Sequence, residues 1–397
     1  MLSVEDALSR LLSQADPVVD IESIDTLEAD GRVLATAVIA PIDVPSLDNS
    51  QMDGYAVRVL DVPSAGTVLP ISQRIAAGHV GQPLEPGTAA RIFTGAPLPA
   101  GADAVVMQEA SSAADGKVTI NQLPERGAWI RRAGCDIAAG DTVVEAGTRL
   151  RPQECGLIAS VGVARLRVRR RLRVAVAFTG DELVMPGEPL PPGRIYNSNR
   201  FVLRGLLTRM GCEVRDLGIV PDDLARTRET LVDAAAHSDL VITCGGVSVG
   251  EEDHVKAAVA SEGSIDLWQI AMKPGKPLAF GRIRDVPFIG LPGNPVSSFV
   301  TFLIFARPFI ASRQGVQRVE PTATSMRADF DLPRPDPRRE YLRVRRNAEG
   351  GLDLFATQNS AVLTSTVWGD GLVDNEPEAT IRRGDSVRFL AYSELLP

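Results

Sequence analysis

Apolar and polar residues alternate with different periods along the chain, and each change of period predicts a different kind of secondary structure. At the start, Ser3 and Asp6 resemble a capping box, and the apolar residues that follow fall on one helical face. Those apolar residues are Val4, Ala7, Leu8, Leu11 and Leu12. The chain is therefore predicted to open with an amphipathic helix.

From Arg32 to Val168 the apolar runs become short and strand-like, and closely spaced Gly and Pro residues separate them. The predicted strands are Val33–Ile39, Tyr55–Val59, Ala89–Phe93, Ala104–Gln108 and Lys117–Asn121. This pattern indicates one or two small β-rich domains joined by long loops. The basic run Arg165–Arg173 alternates with apolar residues, which is typical of a strand with a solvated basic face.

Strand-like and helix-like runs alternate from Arg171 onward. The predicted strands are Leu172–Phe178, Glu213–Val220, Leu240–Thr243, Pro277–Ile283 and Val286–Gly290. The predicted helices are Asn199–Met210, Leu224–Ala236, Val255–Ala260 and a segment after Pro295. Such alternation predicts a parallel, doubly wound α/β sheet. After Glu320 short strands and Gly-containing turns return, which favours a small β-barrel or sandwich.

These changes predict a multidomain α/β plus β architecture. Residues 1–40 and 140–170 would form an elongated N-terminal and linker domain, and residues 41–139 a β-rich inserted domain. Residues 171–318 would form the doubly wound α/β domain, and residues 319–397 a C-terminal small β-barrel.

The composition of the 397-residue chain is that of an ordinary globular protein, with 44% hydrophobic and 23% charged residues. Its formal net charge of −8 argues against nucleic acid as a partner. The cysteines form no C-x-x-C pair, so we expect reduced thiols in the cytoplasm. The histidines share no metal-ligand spacing, so no structural zinc site is expected. No membrane association is expected, because the start of the chain lacks signal-like regions and the most apolar stretch, Phe299–Ile310, is short and contains Arg307. That stretch is predicted to be a core helix.

The strongest chemical signal lies in three loops that follow successive predicted strands of the α/β sheet. The first holds residues whose backbone N–H groups suit an anion, namely Gly245, Gly246, Ser248 and Gly250. The second holds Lys273 and Lys276, which neutralise phosphate as point charges. The third is made rigid by Pro292 and Pro295 and suits a pocket wall. Such loops converge at one sheet edge, where α/β proteins bind ligands.

Three carboxylates are expected at the same edge. Glu182 lies in a Thr-Gly-Asp-Glu turn after the first α/β strand, Asp222 follows another strand, and Asp253 follows the glycine loop. Taken alone, the Thr-Gly-Asp-Glu turn is explained as an ordinary link between two elements, and Asp222 as a helix cap. As a group, the carboxylates would repel one another unless a cation compensates them. The sequence therefore predicts a site for a phosphorylated small molecule and a divalent metal.

One enzyme class is excluded by its missing partner residue. Gly246–Gly250 matches the G-x-S-x-G nucleophile elbow, but that fold requires a histidine farther along the chain. The last histidine is His254, in the same loop-helix turn, so the serine-hydrolase interpretation fails. Neither G-x-G-x-x-G nor a Walker A sequence is present, which weakens the dinucleotide and P-loop interpretations.

Seven segments together resemble the molybdopterin molybdenumtransferase family, which includes bacterial MoeA and the E domain of gephyrin. They are DNSQMDGYAV (48–57), FTGAPLPAGADAVVMQE (93–109), RRAGCDIAAGD (131–141), FTGDEL (178–183), VITCGGVSVGEEDH (241–254), MKPGKPLAFG (272–281) and GLPGNPVSS (290–298). They follow the family's order over nearly the whole chain, and only the last eighty or so residues match more weakly. Two positions depart from it: Gln269 stands where some members carry a lysine, and Cys135 replaces an acid that often precedes Asp136.

The resemblance implies an elongated homodimer whose α/β domain is similar to molybdopterin adenylyltransferases. It also implies a reaction: molybdate and adenylated molybdopterin react with the help of Mg²⁺, AMP is released, and molybdenum stays on the pterin. In that reaction Glu182, Asp222 and Asp253 would serve the metal and the phosphoanhydride. Lys273 and Lys276 would hold phosphate or the incoming oxyanion.

Further residues acquire expected roles only through the resemblance. Asp53, Thr94 and Asp136 would approach the site from the β-rich domain of the partner subunit. Arg343 and Ser360 would contribute to oxyanion binding. A transient contact with a molybdopterin adenylyltransferase is expected as well.

Two alternative functions remain open. One is a molybdopterin adenylyltransferase using ATP and free molybdopterin, against which the β-rich insertion and the C-terminal domain speak. The other is a gephyrin-like oligomeric scaffold, against which the lack of long linkers speaks.

Overall fold

The computed structural model describes residues 1–18, 20–246 and 254–396. The predicted opening helix is confirmed as Val4–Leu12, and the Ser3 side chain caps it by accepting a hydrogen bond from the Asp6 N–H. The buried face of this helix packs into the apolar core of the α/β region.

Segments on either side of the inserted region pair with each other. Ile21–Asp25 pairs antiparallel with Arg165–Arg169, and Val38–Ile39 pairs with Thr142–Val144. The helix Pro152–Ser160 packs beside the second pair. Within Arg165–Arg169 the apolar residues are buried and Arg165 and Arg167 are exposed, so the predicted strand with a solvated basic face is confirmed.

The residues that lie between these pairs in the sequence form a six-stranded mixed sheet. In sheet order, its strands are Ala104–Met107, Gly54–Val57, Ala89–Ile92, Thr67–Ile75, Lys117–Ile120 and Ser111–Ala114. The short strands Asn49–Ser50 and Ile130–Arg131 pair nearby. Single turns of 3-10 helix occupy Thr26–Glu28, Val59–Asp61 and Gln108–Ala110. Four predicted strands of this region are confirmed, Val33–Ile39 is reduced to its last two residues, and Thr67–Ile75 was not predicted.

A second six-stranded sheet carries the α/β region. Its strands in chain order are β1 (Arg173–Thr179), β2 (Glu213–Val220), β3 (Leu240–Cys244), β4 (Gly263–Gln269), β5 (Pro277–Ile283) and β6 (Val286–Leu291). Its helices are α1 (Ser198–Arg209), α2 (Leu224–His237), α3 (His254–Glu262) and α4 (Pro295–Arg313). One apolar cluster joins α1 and α4 to one face of the sheet, and another joins α2 and α3 to the opposite face. The predicted doubly wound class is therefore confirmed.

The sheet is not parallel throughout, which corrects one prediction. The strand order is β2-β1-β3-β6-β5-β4; the first four strands are parallel, and β5 runs antiparallel to both of its neighbours, β6 and β4. Only Arg284 and Asp285 separate β5 from β6, and so short a link joins antiparallel neighbours but not parallel ones. The reversal places the start of β5 at the edge where β1, β3 and β6 end.

The apolar stretch near residue 300 is a core helix, as predicted, although the helix is longer than that stretch. Helix α4 spans 19 residues and is long and apolar enough to cross a membrane by length and composition, but 83% of its most apolar window is buried inside the protein. A π-helical turn, Phe302–Ala306, interrupts it. Pro308 follows this turn and has no N–H for the helical ladder, which favours such a local widening.

A third sheet forms the C-terminal region together with one short strand from the α/β region. Its strands are Met272–Lys273, Arg339–Arg346, Gly371–Asn375, Ser386–Ala391 and Thr324–Arg327, with Leu352–Leu354 paired on the second of them. Two short helices, Thr364–Trp368 and Tyr392–Leu395, accompany them. The first strand belongs to the lysine loop before β5, and it pairs Lys273 with Glu340 in parallel. The lysine loop is thus shared between the α/β sheet and the C-terminal sheet.

Candidate active site

A cavity of about 900 Å³ opens at the edge of the α/β sheet where β1, β3 and β6 end and β5 begins. Most of the residues that the sequence pointed to line it: Glu182, Asp222, Gly245, Gly246, Lys273, Lys276, Pro292, Pro295 and Ser360. The structure therefore brings together the loops that were predicted to converge. The lysine loop joins them because β5 is antiparallel, so that its start faces the ends of the other strands.

The glycine pair after β3 allows close backbone approach. Gly245 and Gly246 have φ angles of 94° and 65°, in the region that favours glycine. A Cβ atom on Gly245 would lie 2.5 Å from the Thr179 carbonyl oxygen, and one on Gly246 would lie 2.5 Å from the Val255 side chain. The rest of the predicted loop, including Ser248, Gly250 and Asp253, lies outside the described residues.

The two lysines of the cavity have different surroundings. Lys273 Nζ lies 2.9 Å from Glu340 Oε1 and 3.2 Å from Asp336 Oδ2. Burial lowers the pKa of Lys273, but the hydrogen bonds to the two carboxylates outweigh it and raise the pKa above the usual value. Lys276 has no ion-pair partner among residues 1–18, 20–246 and 254–396. Lys276 is thus the freer cation, and Lys273 is held in place by the C-terminal region.

Two of the three predicted metal ligands lie on the cavity. The carboxylates of Glu182 and Asp222 both line it, and neither has a hydrogen-bond or ion-pair partner among the described residues. Within that part of the chain, no group of three or more His, Cys, Asp or Glu side chains is arranged to hold a metal. The third predicted ligand, Asp253, falls outside it.

The proline loop after β6 is tied to β3 and α1 through Cys244 and Asn199. Cys244 Sγ donates to the Pro292 carbonyl oxygen at 3.3 Å, and Asn199 Nδ2 donates to the Gly293 carbonyl oxygen at 2.7 Å. Burial raises the pKa of the Cys244 thiol to about 11, so the thiol stays protonated at neutral pH. The buried thiol therefore positions the loop and is not a nucleophile.

The C-terminal region supplies another wall of the cavity. Ser360 lines it, and its carbonyl oxygen accepts a hydrogen bond from the Val296 N–H at 2.9 Å. Arg343 does not line the cavity; it is fully buried behind this wall and donates to Asn359 O and Ser365 Oγ. Burial lowers the pKa of Arg343 to about 10, so the guanidinium group stays charged at neutral pH. Ser360 is thus placed to touch a ligand, whereas Arg343 supports the loop that carries Ser360.

The remaining predicted residues lie in the inserted region and not on the cavity of the same chain. Asp53 Oδ1 accepts hydrogen bonds from the Thr94 N–H and from Thr94 Oγ1, both at 2.8 Å. These two bonds lower the pKa of Asp53, and the bond from the Thr94 N–H has the larger effect. Asp136 lies in a loop where its N–H donates to the Val44 carbonyl oxygen at 3.1 Å. Asp53 and Thr94 therefore form one unit, separate from the cavity.

Several residues on or next to the cavity were not predicted from the sequence: Thr179, Asn197, Asn199, Asp336, Arg338 and Glu340. Asn197 precedes a predicted helix, which is a capping signal that carries no hint of a ligand. Asp336 and Glu340 lie more than 60 residues after Lys273, so only the folded structure places them beside it.

Three family models match the chain. The model for the MoeA N-terminal region (domain I and II) matches residues 2–162, and the model for a probable molybdopterin binding domain matches residues 175–312. The model for the MoeA C-terminal region (domain IV) matches residues 325–392.

Curated proteins and solved structures agree with these matches. A Haemophilus influenzae protein named molybdopterin molybdenumtransferase is 40% identical over 404 aligned positions, covering 100% of both chains. A Nostoc protein of the same name is 39% identical over 86% of this chain and 81% of its own. The crystal structure of a molybdopterin biosynthesis MoeA protein from Pyrococcus horikoshii superimposes with a TM-score of 0.86 at 27% identity, covering 99% of this chain and 100% of that one. The fold class and the resemblance inferred from the sequence are both confirmed, and the chain belongs to the molybdopterin molybdenumtransferase family.

Proposed function

We propose that this protein is a transferase of molybdenum cofactor biosynthesis that inserts molybdenum from molybdate into adenylated molybdopterin and releases AMP. Membership of the family supports the proposal, since curated relatives carry the name molybdopterin molybdenumtransferase. The observation that carries it is the cavity itself. Two lysines, a glycine pair and two carboxylates that have no partner in the described part of the chain line it at one sheet edge.

This set of groups suits cleavage of a phosphoanhydride. Breaking the bond between AMP and the molybdopterin phosphate increases negative charge on the oxygens of the leaving phosphate. Fixed cations that face those oxygens stabilise that charge without reorganising during the reaction. Lys276 is the freer cation for this role, and Lys273 is a cation whose direction is fixed by Glu340 and Asp336. The glycine pair lets the phosphate chain approach the backbone.

The donor set on the cavity fits Mg²⁺, which prefers carboxylate oxygens and keeps several waters. The carboxylates of Glu182 and Asp222 have no partner among residues 1–18, 20–246 and 254–396, and Asp253 would complete the set. When bound, Mg²⁺ would neutralise phosphate oxygens next to the bond that breaks. The carboxylates of the chain would hold the ion.

The site is proposed to be completed by a second copy of the chain. Asp53, Thr94 and Asp136 do not line the cavity of their own chain, so a homodimer would bring them to the cavity of the partner. A transient contact with a molybdopterin adenylyltransferase would deliver the adenylated substrate. The cytoplasm is the proposed location, because the free cysteines suit a reducing compartment.

The proposal is tested by supplying the purified protein with adenylated molybdopterin, molybdate and Mg²⁺. AMP is measured by chromatography and pterin-bound molybdenum by mass spectrometry. The Asp222→Asn and Asp253→Asn variants are expected to lose at least about a hundredfold in AMP release, because each removes a charge from the metal and phosphate site.

Asp223→Asn is the matched control. Asp223 is not on the cavity; its side chain caps α2 by accepting from the Arg226 N–H at 2.8 Å. Asn caps as well as Asp, so this variant should keep full activity. No AMP release by the unmodified protein would reject the transferase proposal. Formation of adenylated molybdopterin from ATP and free molybdopterin would favour the adenylyltransferase alternative.

A further inference from the structure

The hydrogen-bonded unit of Asp53 and Thr94 is built from neighbouring strands of the inserted sheet. Asp53 comes directly before the strand Gly54–Val57, and Thr94 comes soon after the strand Ala89–Ile92. These two strands pair with each other, and Ala104–Met107 pairs with the other side of Gly54–Val57. The position of the Asp53 carboxylate therefore depends on how the ends of these three strands are held together.

The side chain of Arg91 connects the three strand ends. Its Nη1 atom donates to the Gly54 carbonyl oxygen at 3.2 Å, and its Nη2 atom donates to Gln108 Oε1 at 2.8 Å. The Gln108 N–H in turn donates to the Asp53 carbonyl oxygen at 2.9 Å. Because Arg91 itself lies in the strand that leads to Thr94, one side chain ties together all the segments around the Asp53–Thr94 unit.

Two aromatic rings hold the guanidinium group of Arg91 in place. Its central carbon lies 5.1 Å from the centroid of the Tyr55 ring and 4.8 Å from the centroid of the Phe93 ring. A guanidinium group within about 6 Å of a ring centroid is attracted to the face of the ring. Tyr55 is buried and packs in an apolar cluster of the inserted sheet. The rings therefore favour the orientation in which both arms of the planar fork reach their acceptors.

The charge of Arg91 also acts on Asp53. No carboxylate in the described part of the chain forms an ion pair with Arg91, so its charge is not neutralised there. The pKa of Asp53 is lowered first by the Thr94 N–H and then by the Thr94 hydroxyl group; burial opposes them, and the charge of Arg91 lowers the pKa further. Arg91 thus favours the ionised form of Asp53 without an ion pair to it.

We propose that Arg91 is a positioning residue for Asp53, and that the two arms of its guanidinium group hold the Asp53–Thr94 unit in one geometry. The inference rests on the proposed function, in which Asp53 and Thr94 enter the cavity of the partner subunit. Arg91 acts through Asp53 and does not touch the substrate. A carboxylate whose position is fixed before the ligand arrives needs no reorganisation during the reaction.

Two substitutions of Arg91 separate its fork from its charge. Arg91→Met removes the charge and both hydrogen bonds but keeps an unbranched side chain against the rings. Arg91→Lys keeps the charge but carries one nitrogen in place of the planar fork.

Arg74→Met is the matched control. Arg74 lies opposite Arg91 in the neighbouring strand, and its guanidinium carbon is 4.5 Å from the centroid of the same Phe93 ring. Unlike Arg91, it has no hydrogen-bond or ion-pair partner among residues 1–18, 20–246 and 254–396. The control therefore removes an arginine from the same ring without removing a bridge.

The first test is hydrogen exchange of the purified full chain, measured at single amides by mass spectrometry. The Thr94 N–H is bonded to Asp53 Oδ1, so its exchange rate reports how firmly the unit is held. Arg91→Met and Arg91→Lys should each raise that rate by about tenfold or more, because the bridge is lost in both. Arg74→Met should leave the rate unchanged. Exchange in the strand Lys117–Ile120 of the same sheet should stay as it is in every variant and is the internal control for the fold.

The second test is a double-mutant cycle on AMP release from adenylated molybdopterin. Arg91→Met should lower kcat by about tenfold or more. In an Asp53→Ala background the same substitution should change kcat by less than about twofold, because residues that act as one unit are not additive. Arg74→Met should leave kcat unchanged in both backgrounds. A side chain that only stabilises the fold would instead give the same loss with and without Asp53.

The positioning role and the proposed function fail by different results. Exchange at Thr94 that is as slow in Arg91→Met as in Arg74→Met overturns the positioning role, even where AMP is released. Unchanged exchange in Arg91→Lys overturns the role of the two-armed bridge, and an equal loss of kcat in both backgrounds overturns action through Asp53. Faster Thr94 exchange in both Arg91 variants supports the positioning role, even where the unmodified protein releases no AMP and the proposed function has failed.

Discussion

At the scale of single residues, Lys273 is the cavity group that depends most on the C-terminal sheet. Its ammonium group contacts Glu340 Oε1 at 2.9 Å, and the Glu340 side chain is only 3% exposed. A buried carboxylate that receives a lysine both orients it and stabilises its charged form. Glu340 is therefore a positioning residue for the cavity, although it does not line it.

Glu340→Gln is predicted to change the pH profile of AMP release. The carboxylates raise the pKa of Lys273, so removing one of them lowers that pKa and the ammonium form is lost at a lower pH. The alkaline limb of the profile should therefore move to lower pH. Loss of orientation should also reduce kcat/KM at neutral pH by about tenfold to a hundredfold. Steady-state AMP release measured across the pH range checks both effects.

The control for this prediction is Asp233→Asn. Asp233 forms an exposed pair with Arg215 on α2 and β2, and half of its side chain is in solvent. An exposed pair of this kind contributes little, so activity and pH profile should stay as they are. If the alkaline limb of Glu340→Gln lies at the same pH as that of the unmodified protein, Glu340 does not control the pKa of Lys273.

The sequence predicted which loops meet at the cavity, but it did not indicate the partners of the single residues. Lys273 and Lys276 were predicted as equivalent phosphate ligands, but among the described residues Lys273 has two carboxylate partners and Lys276 has none. Those partners lie on another sheet and far along the chain, where no local pattern links them to a lysine loop. Likewise Arg343 carried the right charge for an oxyanion ligand, but its burial behind the cavity wall depends on how the C-terminal sheet packs.

At the scale of elements, the antiparallel edge of the α/β sheet depends on a glycine. Gly281 of β5 pairs with Ile265 of β4, and a Cβ atom on Gly281 would lie 2.1 Å from the Ser264 carbonyl oxygen. Backbone cannot give way as a flexible side chain does. Glycine at this position therefore allows β4 to approach β5, and β5 in turn begins at the lysine loop.

Gly281→Ala is predicted to lower the free energy of unfolding by about 1–3 kcal/mol, the usual cost of an added group in a tightly packed place. Gly205→Ala is the matched control in α1 of the same region. No atom lies within 4 Å of a Cβ built there, so it should raise the free energy of unfolding by about 0.5–1 kcal/mol. Urea unfolding followed by circular dichroism measures both. Equal stability of the two variants would show that the close approach at Gly281 costs nothing.

The sequence predicted elements well where their period was clear and their links were long. The four parallel strands and the four helices of the α/β region follow from alternation alone. The direction of β5 was predictable in principle, because two residues cannot make a parallel crossover. By contrast, β4 follows α3 without a turn signal between them, and Gly263 looks like a loop residue until its partner strand is known.

At the scale of the whole molecule, Asp239 joins segments that are far apart in sequence. Its carboxylate accepts hydrogen bonds from Arg170 at 2.8 Å and from the Arg173 N–H at 2.8 Å. Its carbonyl oxygen accepts one from Arg313 at the end of α4, at 3.4 Å. The residue that follows the strand Arg165–Arg169, the start of β1 and the last helix of the α/β region therefore meet at Asp239.

This junction makes stability depend on pH in a defined window. Burial raises the pKa of Asp239, but the hydrogen bonds from Arg170 and Arg173 outweigh it and bring the pKa to about 2. An aspartate in the unfolded chain titrates near about 3.9. Because the folded pKa is the lower one, the stabilisation is present above about pH 4 and is lost as the pH falls toward about 2.

Asp239→Asn is accordingly predicted to lower the free energy of unfolding by about 2 kcal/mol at pH 7 and by about half of that at pH 3. Other groups titrate alike in both proteins, so the difference between them isolates Asp239. Urea unfolding at the two pH values measures it. Asp20→Asn is the control, because Asp20 pairs with the same Arg170 but its side chain is 62% exposed, and it should cost less than about 1 kcal/mol at either pH. A gap for Asp239→Asn that stays constant from pH 7 to pH 3 would mean that the carboxylate charge does not hold these three segments together.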